Sequence, residues 1–225
     1  MKDLPMTAKN RKAYIPAANH DFFLPCYDVI TKLMGADRSW TDLVNQAAPR
    51  PGERVLEIGC GTGSLTVRAK RLYPQIDIIG LDPDPKALAR ARRKAQRSAV
   101  SIQFTEGLSE CLPYSEHSFD HVFSSFMFHH LENDTKEKTL REIRRVLKPG
   151  GYLHLLDFGG PEPGRANSFS RWLHSHHRLE ENSEARILML MEEAGLSDGK
   201  VVGRRSLLFG LTDAVRYRAS AQAMA

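Results

Sequence analysis

Val55-Leu56-Glu57-Ile58-Gly59-Cys60-Gly61-Thr62-Gly63-Ser64 decides the fold. A short strand, Arg54 to Ile58, stops at a glycine, and three glycines at alternate positions lead into a helical pattern from Ser64 to Tyr73. Glycine lets a backbone turn tightly and come close to a ligand. The helix start that follows offers free N–H groups to an anionic group. Outward from this loop the chain alternates. Ile76 to Leu81 is a second apolar strand ended by Asp82, and Asp84 is placed to cap a helix that Pro85 opens and that runs to about Ser98. Val100 to Phe104, Phe119 to Phe126 and Tyr152 to Asp157 give three more strands. The helix between the last two begins at a capping-box spacing, Asp134 with Glu137, and lines one face with Leu140, Ile143, Val146 and Leu147. Lys148-Pro149-Gly150-Gly151 stops it. Ser183 caps a further helix through Ala194 with Gly195 as its stop. Lys200 to Phe209 and Leu211 to Ala219 form a closing hairpin about Gly210, with Leu211, Val215 and Tyr217 on one face of its second strand.

Strands alternating with helices predict a doubly wound α/β fold, a mostly parallel seven-stranded sheet with an antiparallel last strand. Residues 1–50 read as an N-terminal helical cap and residues 51–225 as a cofactor-binding domain. A segment at about 159–182, rich in Gly, Pro, Ser and His, reads as a lid.

The 225 residues, 41% hydrophobic and 26% charged, suit one soluble domain with a cap. No run approaches the ~18 apolar residues of a membrane span, and Met1 to Tyr14 lacks an apolar signal core, so the expected location is cytoplasmic. Cys26, Cys60 and Cys111 lie far apart in no CxxC pair, which predicts neither a disulfide framework nor a zinc site. The net charge is +5, but runs such as Arg90, Arg92, Arg93, Lys94 and Arg97 read as solvated helix faces. No nucleic-acid motif accompanies them, so no nucleic-acid partner is expected. No feature specifies an oligomeric state.

Asp82 follows Gly63 by nineteen residues and ends the second strand, where a carboxylate accepts the hydroxyls of a ribose. A dinucleotide fingerprint wants G-x-G-x-x-G, and its third glycine is Ser64 here.

Val55 to Gly63 resembles motif I of class I S-adenosylmethionine-dependent methyltransferases, and Gly80-Leu81-Asp82-Pro83 resembles their ribose motif. Leu112-Pro113-Tyr114, Ser118 to Val122 and His129-His130-Leu131 resemble the segment around their fourth strand, and Leu140 to Gly151 the motif before their fifth. The subgroup that comes nearest is the quinone-biosynthesis C-methyltransferases and related small-molecule enzymes. The resemblance implies a Rossmann-like methyltransferase fold and S-adenosylmethionine as cofactor. It places Gly59, Cys60, Gly61 and Gly63 under the methionine part, Glu57 at its amino group, Asp82 on the ribose with Pro83 beside the adenine, and Ser124 or Ser125 near the carboxylate. Where that family often carries Gly-Asp after the third strand, this chain reads Gly107-Leu108-Ser109, so adenine falls to backbone groups, Ser109 or packing against Leu108.

The reaction implied is in-line methyl displacement, in which alignment supplies much of the rate and a base is needed only where the acceptor must lose a proton. His129 or His130, after the fourth strand, is the candidate base; the competing reading is a pair of loop histidines with local bonds. His20, Tyr27 and Trp172 in the cap and lid are candidate acceptor-lining residues. No metal site is expected, even at His174, His176 and His177. The expected acceptor is a small, partly apolar molecule, with peripheral contact to membrane lipid or a quinone left open. Two other functions stay in play: a cofactor-binding protein that transfers nothing, and a nicotinamide-dependent oxidoreductase.

Overall fold

The computed structural model describes residues 36–159, 182–207 and 212–221. His20, Cys26, Tyr27, Trp172, the three lid histidines, most of the cap, the lid and the Gly210 turn lie outside the described residues.

Seven strands form one sheet in the order β3-β2-β1-β4-β5-β7-β6. They are β1 (Arg54–Ile58), β2 (Asp77–Asp82), β3 (Gln103–Glu106), β4 (Phe119–Ser125), β5 (Leu147–Phe158), β6 (Leu196–Leu207) and β7 (Thr212–Ala221). Pairing is parallel from β3 through β5, and β7 runs antiparallel to both β5 and β6. The helices are α1 (Ala36–Ala47), α2 (Ser64–Leu72), α3 (Pro85–Arg97), α4 (Asn133–Val146) and α5 (Glu184–Glu193). The chain reverses at β1: β1 through β3 step one way across the sheet, while β4 and β5 return to the other side of β1. Ligands of such sheets bind beyond the carboxyl ends of the strands at this switch point.

Both faces of the sheet are covered. α1 and α2 bury Trp40, Leu43, Val44, Leu65 and Ala69 against Val55, Ile78, Phe123 and Leu156. On the opposite face α4 and α5 bury Leu140, Ile143, Val146, Ile187, Leu190 and Met191 against Leu56, Val122, Leu155 and Tyr217. Alternation along β4 and β5 divides their side chains between these two layers. Arg145 of α4 bonds Glu142 and the carbonyls of Leu112 and Tyr114, which clamps the β3–β4 loop to the helix.

Several local signals hold. Asp84 accepts the Lys86 N–H ahead of α3, Ser183 accepts the Arg186 N–H ahead of α5, and Gly195 takes the left-handed φ of 79° after it. Others need correction. α4 starts at Asn133 after Glu132, with no side-chain cap, so Asp134 lies inside its first turn rather than at a capping box. β5 begins at Leu147 directly out of α4, because Leu147 pairs with Phe119 before a register shift. β3 starts three residues later than expected, at Gln103, aligned so that Glu106 pairs with Asp82. β6 starts at Leu196; bulges between Ser197 and Lys200 and between Val201 and Gly203 erase the alternation that would mark it.

Candidate active site

The glycine loop leaves β1 by crossing toward β2. The N–H groups of Gly59 and Cys60 both donate to the Leu81 carbonyl, at 2.8 and 3.0 Å. The loop then closes on the strand-end acid: Gly61 N–H donates to Asp82 Oδ2 at 2.8 Å, and Asp84 N–H donates to Asp82 Oδ1 at 2.9 Å. One carboxylate thus fixes the loop and the start of α3, and each oxygen keeps a lone pair for a ligand hydroxyl. Burial pushes the Asp82 carboxyl up to about 6 against the pull of those two bonds.

Glu57 is buried under the loop and accepts a hydrogen bond from the Thr66 hydroxyl of α2. Burial pushes its carboxyl up to about 8, so in the chain alone it holds a proton at neutral pH. A cation placed beside it would draw that proton off. Gly59, at φ +68°, lies under Met127; a Cβ there would fall 2.3 Å from the Met127 Cγ. Gly61, at φ +51°, faces open space, with nothing within 4 Å of where a Cβ would stand. The Cys60 thiol packs with Val67, Leu88, Ala91 and Phe104, and burial raises it well above the ordinary thiol range, so it serves as core.

β3 brings the next candidates alongside. Gly107 N–H donates to the Asp82 carbonyl, which sets Leu108 just beyond the Asp82 edge, half-buried, and Pro83 is half-buried at the end of β2. Ser109 turns away: its hydroxyl pairs with Thr139 of α4 at 2.8 Å. On the other side of β1, Ser124 lies beside Ile58, 1% exposed, its hydroxyl without a partner among the described residues. Ser125 instead accepts from Trp40 Nε1.

The histidine pair after β4 divides. Phe128–His130 is a short 3-10 turn. His129 is 4% exposed and bonded to Asp157 at the end of β5, which is fully buried. His130 is half-buried and its ring lies 4.0 Å from that of His129. Phe126 and Phe158 pack beside them, with ring centroids 4.9 Å apart. Asp157 and Met127 escaped the sequence reading. Asp157 had a signal, an acid ending the apolar run Leu153 to Leu156, in the position Asp82 holds on β2.

A family model described as a methyltransferase domain matches residues 55–151, the stretch that contains the glycine loop, Asp82 and the histidine pair. Over these residues the chain has a methyltransferase domain. Among its relatives is the demethylmenaquinone methyltransferase of Deinococcus radiodurans, 37% identical over 155 residues that cover 68% of this chain and 64% of that one. Another is the ubiquinone/menaquinone biosynthesis C-methyltransferase UbiE of Klebsiella pneumoniae, 32% identical over 160 residues, 68% of this chain and 63% of that one. The chain therefore spans a little under two thirds of these relatives' length. The methyltransferase fold also matches phosphoethanolamine N-methyltransferase 2 of Haemonchus contortus, solved with S-adenosylmethionine, at a TM-score of 0.77. That likeness covers 95% of this chain and 60% of the other, and at 18% identity it speaks to fold alone. Among the described residues no helix of the methyltransferase domain is long and apolar enough to cross a membrane, and no cluster of side chains suits a metal ion.

Proposed function

We propose that this chain transfers a methyl group from S-adenosylmethionine to a small, partly apolar acceptor, a demethylated quinone in its reduced, hydroxyl-bearing form. The observation that carries the reading is the bond from Gly61 N–H to Asp82, which joins the glycine loop and the strand-end acid into one ligand surface. The quinone rests on the names of the relatives.

S-adenosylmethionine supplies a methyl carbon made electrophilic by a sulfonium. The chain's own groups bind and orient. Glu57 takes the amino group and gives up its proton as it does so. Asp82 accepts the ribose hydroxyls. The backbone of Gly59, Cys60, Gly61 and Gly63 would give the methionine part its floor, open at Gly61, and the partnerless Ser124 hydroxyl suits its carboxylate. Pro83 and Leu108 would hold the adenine by apolar packing, since the Ser109 hydroxyl is committed to Thr139. His129 and His130 stand on the acceptor side with Phe126 and Phe158. A quinone with an apolar tail resides in lipid. The outward face of α3, with Lys86, Arg90, Arg93 and Arg97 and no acid, suits an anionic lipid surface.

Calorimetric titration with S-adenosylmethionine and S-adenosylhomocysteine tests this. The expected result is micromolar binding that Asp82→Ala weakens by ~1–3 kcal/mol, the loss of a charged hydrogen-bond acceptor. Absence of binding by the wild-type chain overturns it.

A further inference from the structure

The Asp157 carboxylate captures His129 twice. Asp157 Oδ2 accepts the His129 backbone N–H at 2.9 Å, and Asp157 Oδ1 lies 2.6 Å from the ring nitrogen Nδ1. Oδ1 also accepts the Phe158 N–H at 2.8 Å. Backbone and side chain of one histidine are thus bound to the two oxygens of one carboxylate, which leaves the ring no free rotamer. Edge-to-face packing on Phe158, with centroids 5.1 Å apart, holds it from the side.

This geometry also settles the tautomer. Burial would raise the Asp157 carboxyl, but His129 and the backbone N–H groups outweigh it and hold the group below the ordinary carboxylate range. An ionised carboxylate only accepts hydrogen bonds, so Nδ1 carries the proton. Nε2 is then the ring's basic nitrogen, and it has no hydrogen-bond partner among the described residues. The pair stands where β4 and β5 end, at the sheet edge that holds the glycine loop.

We infer that Asp157 is a positioning residue that presents His129 Nε2 as the general base that takes the hydroxyl proton of the acceptor. The inference rests on the methyl-transfer reading above. The hydroxyl proton of the acceptor passes to Nε2. The electron pair left on oxygen, or delocalised from it onto a ring carbon, forms the bond to the methyl carbon, and the methyl–sulfur bond breaks with its pair on sulfur. In the ring-carbon case the displaced C–H proton leaves to water and the hydroxyl is restored. One methyl moves and one proton is released in either case. The imidazolium formed on the way lies against Asp157, which stabilises it.

The test begins without any acceptor. Nitrogen-15 NMR of the histidines should show the proton of the neutral His129 ring on Nδ1 and not on Nε2. The reverse tautomer overturns the inference, and this reading needs no variant to fold. Kinetics follow with a short-chain demethylmenaquinol kept reduced by dithionite. Asp157→Asn should lower kcat by ~100-fold or more, the range of general-base catalysis, with KM and the affinity for S-adenosylhomocysteine within about threefold. The deficit should shrink as pH rises and the acceptor ionises by itself. A deficit that is constant with pH, or one that appears mainly in the affinity, assigns the pair to holding the fold and overturns the inference. Unaltered affinity for S-adenosylhomocysteine keeps that outcome distinct from failure of the methyltransferase reading.

Discussion

Two glycines of one loop separate what the fold needs from what a ligand needs. Both have positive φ, where a side chain costs roughly 1–2 kcal/mol from contact of Cβ with the following carbonyl. They differ in their surroundings. An added Cβ at Gly59 would overlap Met127, which must move, whereas at Gly61 it would stand in open space. Gly59→Ala should therefore lower the unfolding midpoint well beyond the backbone cost alone. Gly61→Ala should show the backbone cost only, yet lose tenfold or more in affinity for S-adenosylhomocysteine, because the methyl enters space reserved for the ligand. Thermal unfolding beside calorimetry separates the two. A Gly61→Ala chain that binds like wild type would place the cofactor somewhere other than over this loop.

At the scale of elements, α3 shows how one helix divides its labour. Ala87, Leu88, Ala91 and Ala95 are buried against the sheet, and Lys86, Arg90, Arg93 and Arg97 fall on the opposite side at helical spacing. Near an anionic lipid surface each cation contributes about 1 kcal/mol, screened by salt. Replacing Arg90, Arg93 and Arg97 together by Gln should thus weaken co-sedimentation with anionic vesicles by about a hundredfold at low salt and leave the unfolding midpoint almost unchanged. Equal binding by the triple variant would show that the face is merely solvated. α3 is also an element the sequence exposes fully. Asp84, Pro85 and the apolar spacing are local signals, and local contacts satisfy them. The same holds for β1, the glycine loop and the Ser183 cap. Legibility fails where an element depends on a distant partner. β6 is an edge strand whose bulges hide its period. The Asp134–Glu137 spacing copies a cap, but the helix begins earlier, where Glu132 leaves β4's following turn. Asp157 became meaningful only once β5 lay beside β4, since nothing local in Leu155-Leu156-Asp157 points to His129.

The sheet as a whole has two ends of different character. Its carboxyl end holds the glycine loop, Asp82, Ser124 and the Asp157–His129 pair. Its amino end is closed by polar networks. Asp120 accepts the Arg54 N–H and both its oxygens meet Lys148 Nζ, while a buried chain links three strand regions and α1. In that chain Gln46 Nε2 lies 3.3 Å from His154 Nδ1, His154 Nε2 lies 3.1 Å from His121 Nδ1, and His121 Nε2 lies 3.1 Å from Glu53 Oε2. Gln46 donates at one end and Glu53 accepts at the other, so all the bonds run in one direction when both rings are neutral. A further proton would break this order. Burial, with His121 and Arg218 adding to it, pushes His154 down to about 3, and burial lowers His121 as well despite Glu53 and Asp120. A folded-state pKa below the unfolded value of ~6.5 contributes stability that is complete above that pH and lost as the pH falls toward the folded value. Glu57 and Asp82 act oppositely, because their raised carboxyls favour the folded chain as pH falls. A single stability profile would therefore blur the two ends of the sheet, and a difference profile resolves them. His154→Gln should be less stable than wild type at pH 7.5, and the gap should narrow by about 2 kcal/mol by pH 5, as the wild-type unfolded state alone takes up the His154 proton. Denaturant unfolding at a series of pH values measures the gap. A gap that stays constant would mean that His154 takes up its proton in the folded chain, and that the directional chain at the amino end does not exclude it.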